Sequence, residues 1–222
     1  MNLVRRILRE YTEQPLNELA RTNRLIVLDV DDTLLKPSGV YIYRNLPSDP
    51  QEIALTPYEY GLENVTPETK QYYDYRDFLD PVKTQQSIEQ AEPIVTNLSV
   101  MDDYLKLGHQ IAILTARSNE QVVFDGLKQW LMYKDRKGNL IPIGDRLNRE
   151  NVFAVNDTNR MSTLESETDY EKKAEIMEKL VKAYDEIVFI DDDMKNIKQM
   201  KMLKRDLPEE LAKKLFVMHA KE

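Results

Sequence analysis

Leu25-Ile-Val-Leu-Asp29-Val-Asp31-Asp-Thr33 runs four aliphatic residues straight into carboxylates spaced i, i+2. An unbroken apolar run of this length, with no polar residue alternating through it, suits a strand covered on both faces, as in a parallel α/β sheet. Such sheets place ligands beyond the carboxyl ends of their strands, so Asp29, Asp31 and Thr33 stand where a site can form.

The same grammar recurs downstream. Ile111-Ala-Ile-Leu-Thr115 and Ile187-Val-Phe-Ile-Asp191 are short apolar runs ending in a polar residue. Between the first two strands, Ile94, Leu98, Met101 and Leu105 fall at helical spacing. Pro93 stands at an opening position and Gly108 where a helix should stop, which predicts a crossover helix and makes strands 25–29 and 111–115 parallel neighbours. Ser118–Tyr133 reads as a second helix, Asp135–Asn139 as a turn, and Val152–Val155 and Leu215–Met218 as further strands. Thr168-Asp-Tyr-Glu171 is a capping box before a helix ending near Tyr184. The expected core is 1–36 with 93–222.

Residues 37–92 break this pattern: they hold six of the ten prolines, seven of the twelve tyrosines, and ten acids against four bases. The segment separates the first strand from its helix, and the expectation is a cap-like insertion over the carboxyl end of the sheet, facing Asp29.

Composition removes several classes of function. A formal charge of −8 argues against a broad nucleic-acid-binding face, which works by neutralising phosphates, though a local grip on one phosphorylated end stays open. The chain has no cysteine, hence no disulfide and no thiolate chemistry, and is compatible with a reducing cytoplasm. No stretch approaches the ~18–20 apolar residues of a membrane span. Met1–Tyr11 carries Arg5, Arg6 and Arg9 and lacks the uninterrupted apolar region of a secretion signal. The expectation is a cytoplasmic protein with no membrane partner and no obligate protein partner.

With the polar strand ends in place, the chain resembles the haloacid dehalogenase superfamily. Asp29-Val-Asp-Asp-Thr33 looks like its first motif, Thr115 like its second, a lysine near the start of the 168–184 helix like its third, and Asp191-Asp-Asp-Met-Lys-Asn196 like its fourth, in the right order. The resemblance implies a Rossmann-like three-layer parallel sheet with helices on both faces and the first-motif strand between those of the second and fourth. It further implies a phosphatase in which Asp29 is the nucleophile and forms an aspartyl phosphate, and Asp31 protonates the leaving oxygen and then activates water. Mg²⁺ would be held by Asp29, the main-chain carbonyl of Asp31 and Asp192, with Asp191 as an auxiliary ligand and Thr33 and Asn196 bracing them. Thr115 and a lysine would bind the phosphoryl group.

Lys172 and Lys173 both fit the lysine motif, and Lys173 is preferred because it directly precedes the helical apolar positions Ile176 and Met177. Arg117 is a further phosphate-binding candidate, since a guanidinium can grip an oxyanion bidentately. His109 and His219 attract no catalytic assignment, and Trp130 reads as core. An aspartate at position 31 points, within the resemblance, to phosphatases and phosphomutases. The expected substrate is a small phosphomonoester such as a nucleotide. A 3′-phosphorylated nucleic acid end is the alternative, by likeness to polynucleotide-end phosphatases and small phage-encoded members. A catalytically silent binding or structural protein on the same fold is the reading from another class.

Overall fold

The computed structural model describes residues 23–49, 51–134 and 140–220. The basic Met1–Tyr11 segment and the Asp135–Asn139 turn fall outside them.

The main sheet has five parallel strands: β1 (Arg24–Leu28), β7 (Gln110–Thr115), β10 (Leu147–Ala154), β11 (Glu186–Asp191) and β12 (Leu215–His219). Their order is β10-β7-β1-β11-β12, so the strand that ends in Asp29 lies between those ending in Thr115 and Asp191. Leu28 pairs with Ile113 on one side and with Ile190 on the other, which sets the ends of these three strands nearly level.

Every residue of β1 is buried, as the unbroken apolar run requires. The side chains alternate between two cores. Leu25, Val27, Ala112, Leu114, Ile187 and Phe189 share one with the apolar stripe of a helix at Asp169–Ala183 and with Ile197 and Met200. Ile26, Leu28, Ile111, Ile113, Val188 and Ile190 share the other with Leu98, Met101, Tyr104, Val123 and Leu127. Each such aliphatic side chain contributes about 1.5–3 kcal/mol relative to exposure.

Between β1 and β7, β2 (Leu35–Lys36) pairs antiparallel with β6 (Glu92–Pro93), so the chain leaves and returns through a two-residue ribbon. Within that excursion, β3 (Ile42–Arg44), β4 (Ile53–Leu55) and β5 (Tyr73–Asp74) form a three-stranded antiparallel sheet around Ile42, Leu55 and Tyr73. It also carries helices α1 (Pro57–Leu62), α2 (Pro67–Lys70), α3 (Arg76–Leu79) and α4 (Pro81–Glu89). The prolines open α1, α2 and α4 at the first turn, where a missing N–H costs nothing.

Helices α5 (Val95–Lys106), α6 (Glu120–Trp130), α7 (Asp169–Ala183), α8 (Met194–Asp206) and α9 (Glu209–Ala212) complete the fold, with a hairpin of β8 (Met132–Lys134) and β9 (Leu140–Pro142) after α6. Several expected boundaries shift: the strand expected at Val152–Val155 begins at Leu147, and the helix expected from Ser118 begins at Glu120. Pro93 does not open α5; it pairs with Leu35 in the ribbon, an edge position that asks no donor of it, and the helix starts at Val95. The helix expected to reach Tyr133 stops at Trp130, because Met132–Lys134 is taken up by strand pairing with 140–142. Gly108, at φ +88°, follows the C-cap Leu107 and ends α5 as expected. Among the described residues no helix is long and apolar enough to cross a membrane.

Candidate active site

The site is built where β1 stops. Asp29 N–H still donates to Ile190 O at 3.1 Å, so its backbone remains tied to β11. The chain then folds back on itself: Leu34 N and Leu35 N both donate to Val30 O, and Asp32 N donates to Leu35 O. Asp32 takes φ +53°, a left-handed conformation that aspartate tolerates better than most residues. From α5, Asn97 Nδ2 donates to Thr33 O at 2.8 Å and Ile94 N to Leu34 O at 3.0 Å, which pins the turn from outside.

Of the two candidate lysines, Lys173 is the one that stands among the carboxylates. Its Nζ, buried, lies 2.9 Å from Asp29 Oδ1 and 2.8 Å from Asp191 Oδ2, whereas Lys172 Nζ donates to Asn156 Oδ1 at 2.8 Å. The start of α7 that aims Lys173 is fixed by Thr168, whose N–H and hydroxyl both donate to the Glu171 carboxylate. The other half of the bridge, Asp191, is fully buried and also accepts from Asn196 Nδ2 and from Asp193 N–H. Asp192 is held by Thr33, whose hydroxyl donates to Asp192 Oδ1 at 2.8 Å and accepts from Asp192 N at 3.0 Å.

Asp29, Asp191 and Asp192 each offer an oxygen within 4.8 Å of the others. One ammonium against three carboxylates leaves an excess of negative charge, and the electrostatics record it. Burial, reinforced by Asp191, Asp192 and Asp31 and opposed by Lys173, raises Asp29 well above the usual carboxylate range. Burial and the neighbouring Asp191 push Asp192 up to about 7. Burial works against the charge on Lys173, yet Asp191 and Asp29 outweigh it and hold that lysine above its ordinary value. A site with surplus buried carboxylate and only oxygen donors fits a hard divalent cation. Asp191 is taken up by Lys173, Asn196 and Asp193 N–H, while Asp29 and Asp192 each keep an oxygen outside these hydrogen bonds.

Thr115 ends β7, fully buried, and its hydroxyl oxygen accepts from Arg117 N at 3.3 Å. Arg117, the further phosphate-binding candidate, is placed against Asp31. It is buried, with Nε 3.0 Å from Asp31 Oδ2 and Nη2 2.6 Å from Asp31 Oδ1. Its Nη1 donates to Thr84 O and Ser87 Oγ of α4.

Three contributors carried no signal that spacing alone could reveal. Asn97 and Asn156 brace the site loops from separate elements, Asn156 Nδ2 reaching Ala116 O at 2.7 Å and Asp169 Oδ1 at 3.0 Å. His219 Nε2 donates to Asp192 O at 2.8 Å. The 37–92 segment also reaches this end of the sheet, through the contacts of Thr84 and Ser87 with Arg117 and of Phe78 O with Ser118. The hydroxyls of Tyr60 and Tyr75 meet at 2.6 Å, and burial raises both phenols. Two grooves of about 360 Å³ open nearby, one lined by Ser118–Gln121, Arg149, Asp157 and Arg160, the other by Asn156, Met161, Leu164 and Lys172. Neither is lined by Asp29, Asp191 or Asp192, so the carboxylates and their lysine, rather than cavity volume, locate the site.

No protein-family model matches the chain, and no curated protein matches it.

Proposed function

We propose that this protein is a Mg²⁺-dependent phosphohydrolase of the haloacid dehalogenase type, acting on phosphomonoesters through an aspartyl phosphate on Asp29. The observation that carries the reading is the Asp29–Lys173–Asp191 bridge at 2.9 and 2.8 Å, with Asp192 inside the same cluster, drawn from three distant stretches of chain to one strand end. In this reading the sheet with helices against both of its cores is a three-layer Rossmann-like core, and 37–92 is its cap.

The residues divide the work. Asp29 attacks phosphorus along the line of β1, its carboxylate aimed by Lys173 and its backbone fixed by Ile190. Lys173 neutralises charge on the transferring group without leaving the cluster. Thr115 offers a hydroxyl donor on the β7 side. Asp31 serves the leaving oxygen as acid and then water as base. A divalent cation held by Asp29, Asp192 and the Asp31 carbonyl would let the anionic substrate approach the carboxylates and would polarise a phosphate oxygen. Thr33 and Asn196 keep Asp192 and Asp191 in place for that task.

The test is phosphate release from nucleotides, sugar phosphates and 3′- or 5′-phosphorylated oligonucleotides, with Mg²⁺ and with chelator. Metal-dependent release supports the reading and ranks small esters against nucleic acid ends. Silence across the panel sinks it in favour of a binding role.

A further inference from the structure

Arg117 joins the Asp31 carboxylate to α4 of the 37–92 segment. On one side its guanidinium forks both oxygens of Asp31, at 3.0 and 2.6 Å. On the other, Nη1 lies 3.0 Å from Thr84 O and 2.9 Å from Ser87 Oγ, both on α4 of the 37–92 segment. Arg117, Thr84 and Ser87 are each at most 1 % exposed, so water does not compete for the bonds on the α4 side, while the Asp31 carboxylate is only partly buried. A charge so deeply buried is held only by partners, and losing one of them exposes the full cost of its desolvation.

The polarity of the junction is fixed as well. Ser87 Oγ donates its proton to Thr84 O at 2.7 Å, leaving its oxygen to accept from Arg117. The seating of α4 on the core leaves little slack: at Gly126 of α6, an added Cβ would meet Ile88 Cδ1 of α4 at 3.1 Å. Nearby, Ser118 Oγ donates to Phe78 O of α3 at 2.7 Å, a second stitch between the β7–α6 loop and the same segment.

We propose that Arg117 is a positioning residue that ties the orientation of the Asp31 carboxylate to the seating of α4, so that the 37–92 segment acts on the site through one buried guanidinium. The planar fork is what the job requires. A lysine supplies a point charge and cannot hold both Asp31 oxygens on one edge and Thr84 O with Ser87 Oγ on the other. This inference rests on the phosphohydrolase reading for its catalytic consequence: a misaimed Asp31 penalises substrates whose leaving oxygen needs a proton more than those that leave readily.

Two measurements on the full chain test it. The first is hydrogen exchange at the α4 amides in wild type, Asp31→Asn, Asp31→Ala and Ser87→Ala. Asp31 makes no hydrogen bond to α4, so faster α4 exchange by roughly tenfold in Asp31→Ala, with β1 amides still protected, is the expected sign of coupling through Arg117. Unchanged α4 exchange in both Asp31 variants overturns it. The second is kcat and KM for an aryl phosphate and an alkyl phosphate with Arg117→Lys, Arg117→Ala and Ser87→Ala. The expected result is a loss in kcat about tenfold or more greater for the alkyl ester, with little change in KM, and no rescue by lysine. Equal losses on both esters, or rescue by lysine, overturn it. If the wild type releases no phosphate from either ester, the phosphohydrolase reading fails, and the exchange experiment still decides the coupling.

Discussion

Lys173 and Asp29, 144 positions apart in the chain, meet at 2.9 Å in a buried ion pair, and the same ammonium reaches Asp191 at 2.8 Å. One cation thus holds the ends of two adjacent strands together and is the counter-charge in a pocket of surplus carboxylate.

Replacing Lys173 by Met keeps the length of the side chain and removes the charge. Asp29 and Asp191 are then buried without their cation, which costs about 3–5 kcal/mol. Urea unfolding should show that loss in chelator and a partial recovery in Mg²⁺, since a bound ion supplies positive charge to the same oxygens. Stability equal to wild type would mean that Lys173 is not what neutralises the cluster.

The acid cluster also sets a pH dependence. Asp192 is raised to about 7 and Asp29 well above its ordinary value, so the native protein keeps protons that the unfolded chain releases above about pH 4. Their contribution is therefore complete below about pH 4 and is lost as pH rises, that of Asp192 through about pH 7, in the metal-free protein. Because a metal needs the ionised carboxylates, Mg²⁺ should raise Tm by several degrees at pH 8 and by less at pH 5. Glu186, raised by burial to about 7, adds a slope of the same sign, while His109, lowered by burial to about 4, opposes it. These two pair with each other at 3.0 Å next to the starts of β7 and β11, so Asp192→Asn separates the site from them. It should flatten the metal-free slope between pH 4 and 7 and weaken the Mg²⁺ effect. A slope and an Mg²⁺ shift identical to wild type would remove Asp192 from the metal.

Thr33 is the control on ligand placement. Its hydroxyl both donates to the Asp192 carboxylate and accepts from the Asp192 N–H, so Thr33→Val leaves Asp192 unsupported at nearly constant volume. The Mg²⁺ concentration for half-maximal activity should rise about 10–100-fold, with a stability loss of about 1–2 kcal/mol. An unchanged metal titration would show that Asp192 is placed by its backbone alone.

The centre of the sheet was legible because β1, β7 and β11 are apolar runs, and burial on both faces leaves that pattern in the sequence. β1, β7 and β11 were found with their polar ends and in the right spatial order. Lys173 was preferred over Lys172 for its place just before the apolar positions Ile176 and Met177, and it is buried with them on α7. What stayed hidden depends on long-range pairing. The ribbon that takes Pro93 away from α5 and the hairpin that ends α6 at Trp130 are strand pairings between segments that carry no local mark of each other. The pairing of Arg117 with Asp31, 86 positions away, also stayed hidden, because an arginine after a strand carries no local sign of its partner. Asn97, Asn156 and His219 each reach a backbone carbonyl far away in the chain, for which no residue pattern exists.

The most direct test of the account is to mix the protein with a phosphate-labelled aryl ester in Mg²⁺, quench in acid within a turnover, and map the label by peptide mass spectrometry. Label on Asp29, absent in chelator and in a folded Asp29→Asn variant whose turnover falls by at least about 10³-fold, is the predicted result. Turnover without label on Asp29, or an Asp29→Asn variant as active as wild type, would contradict it.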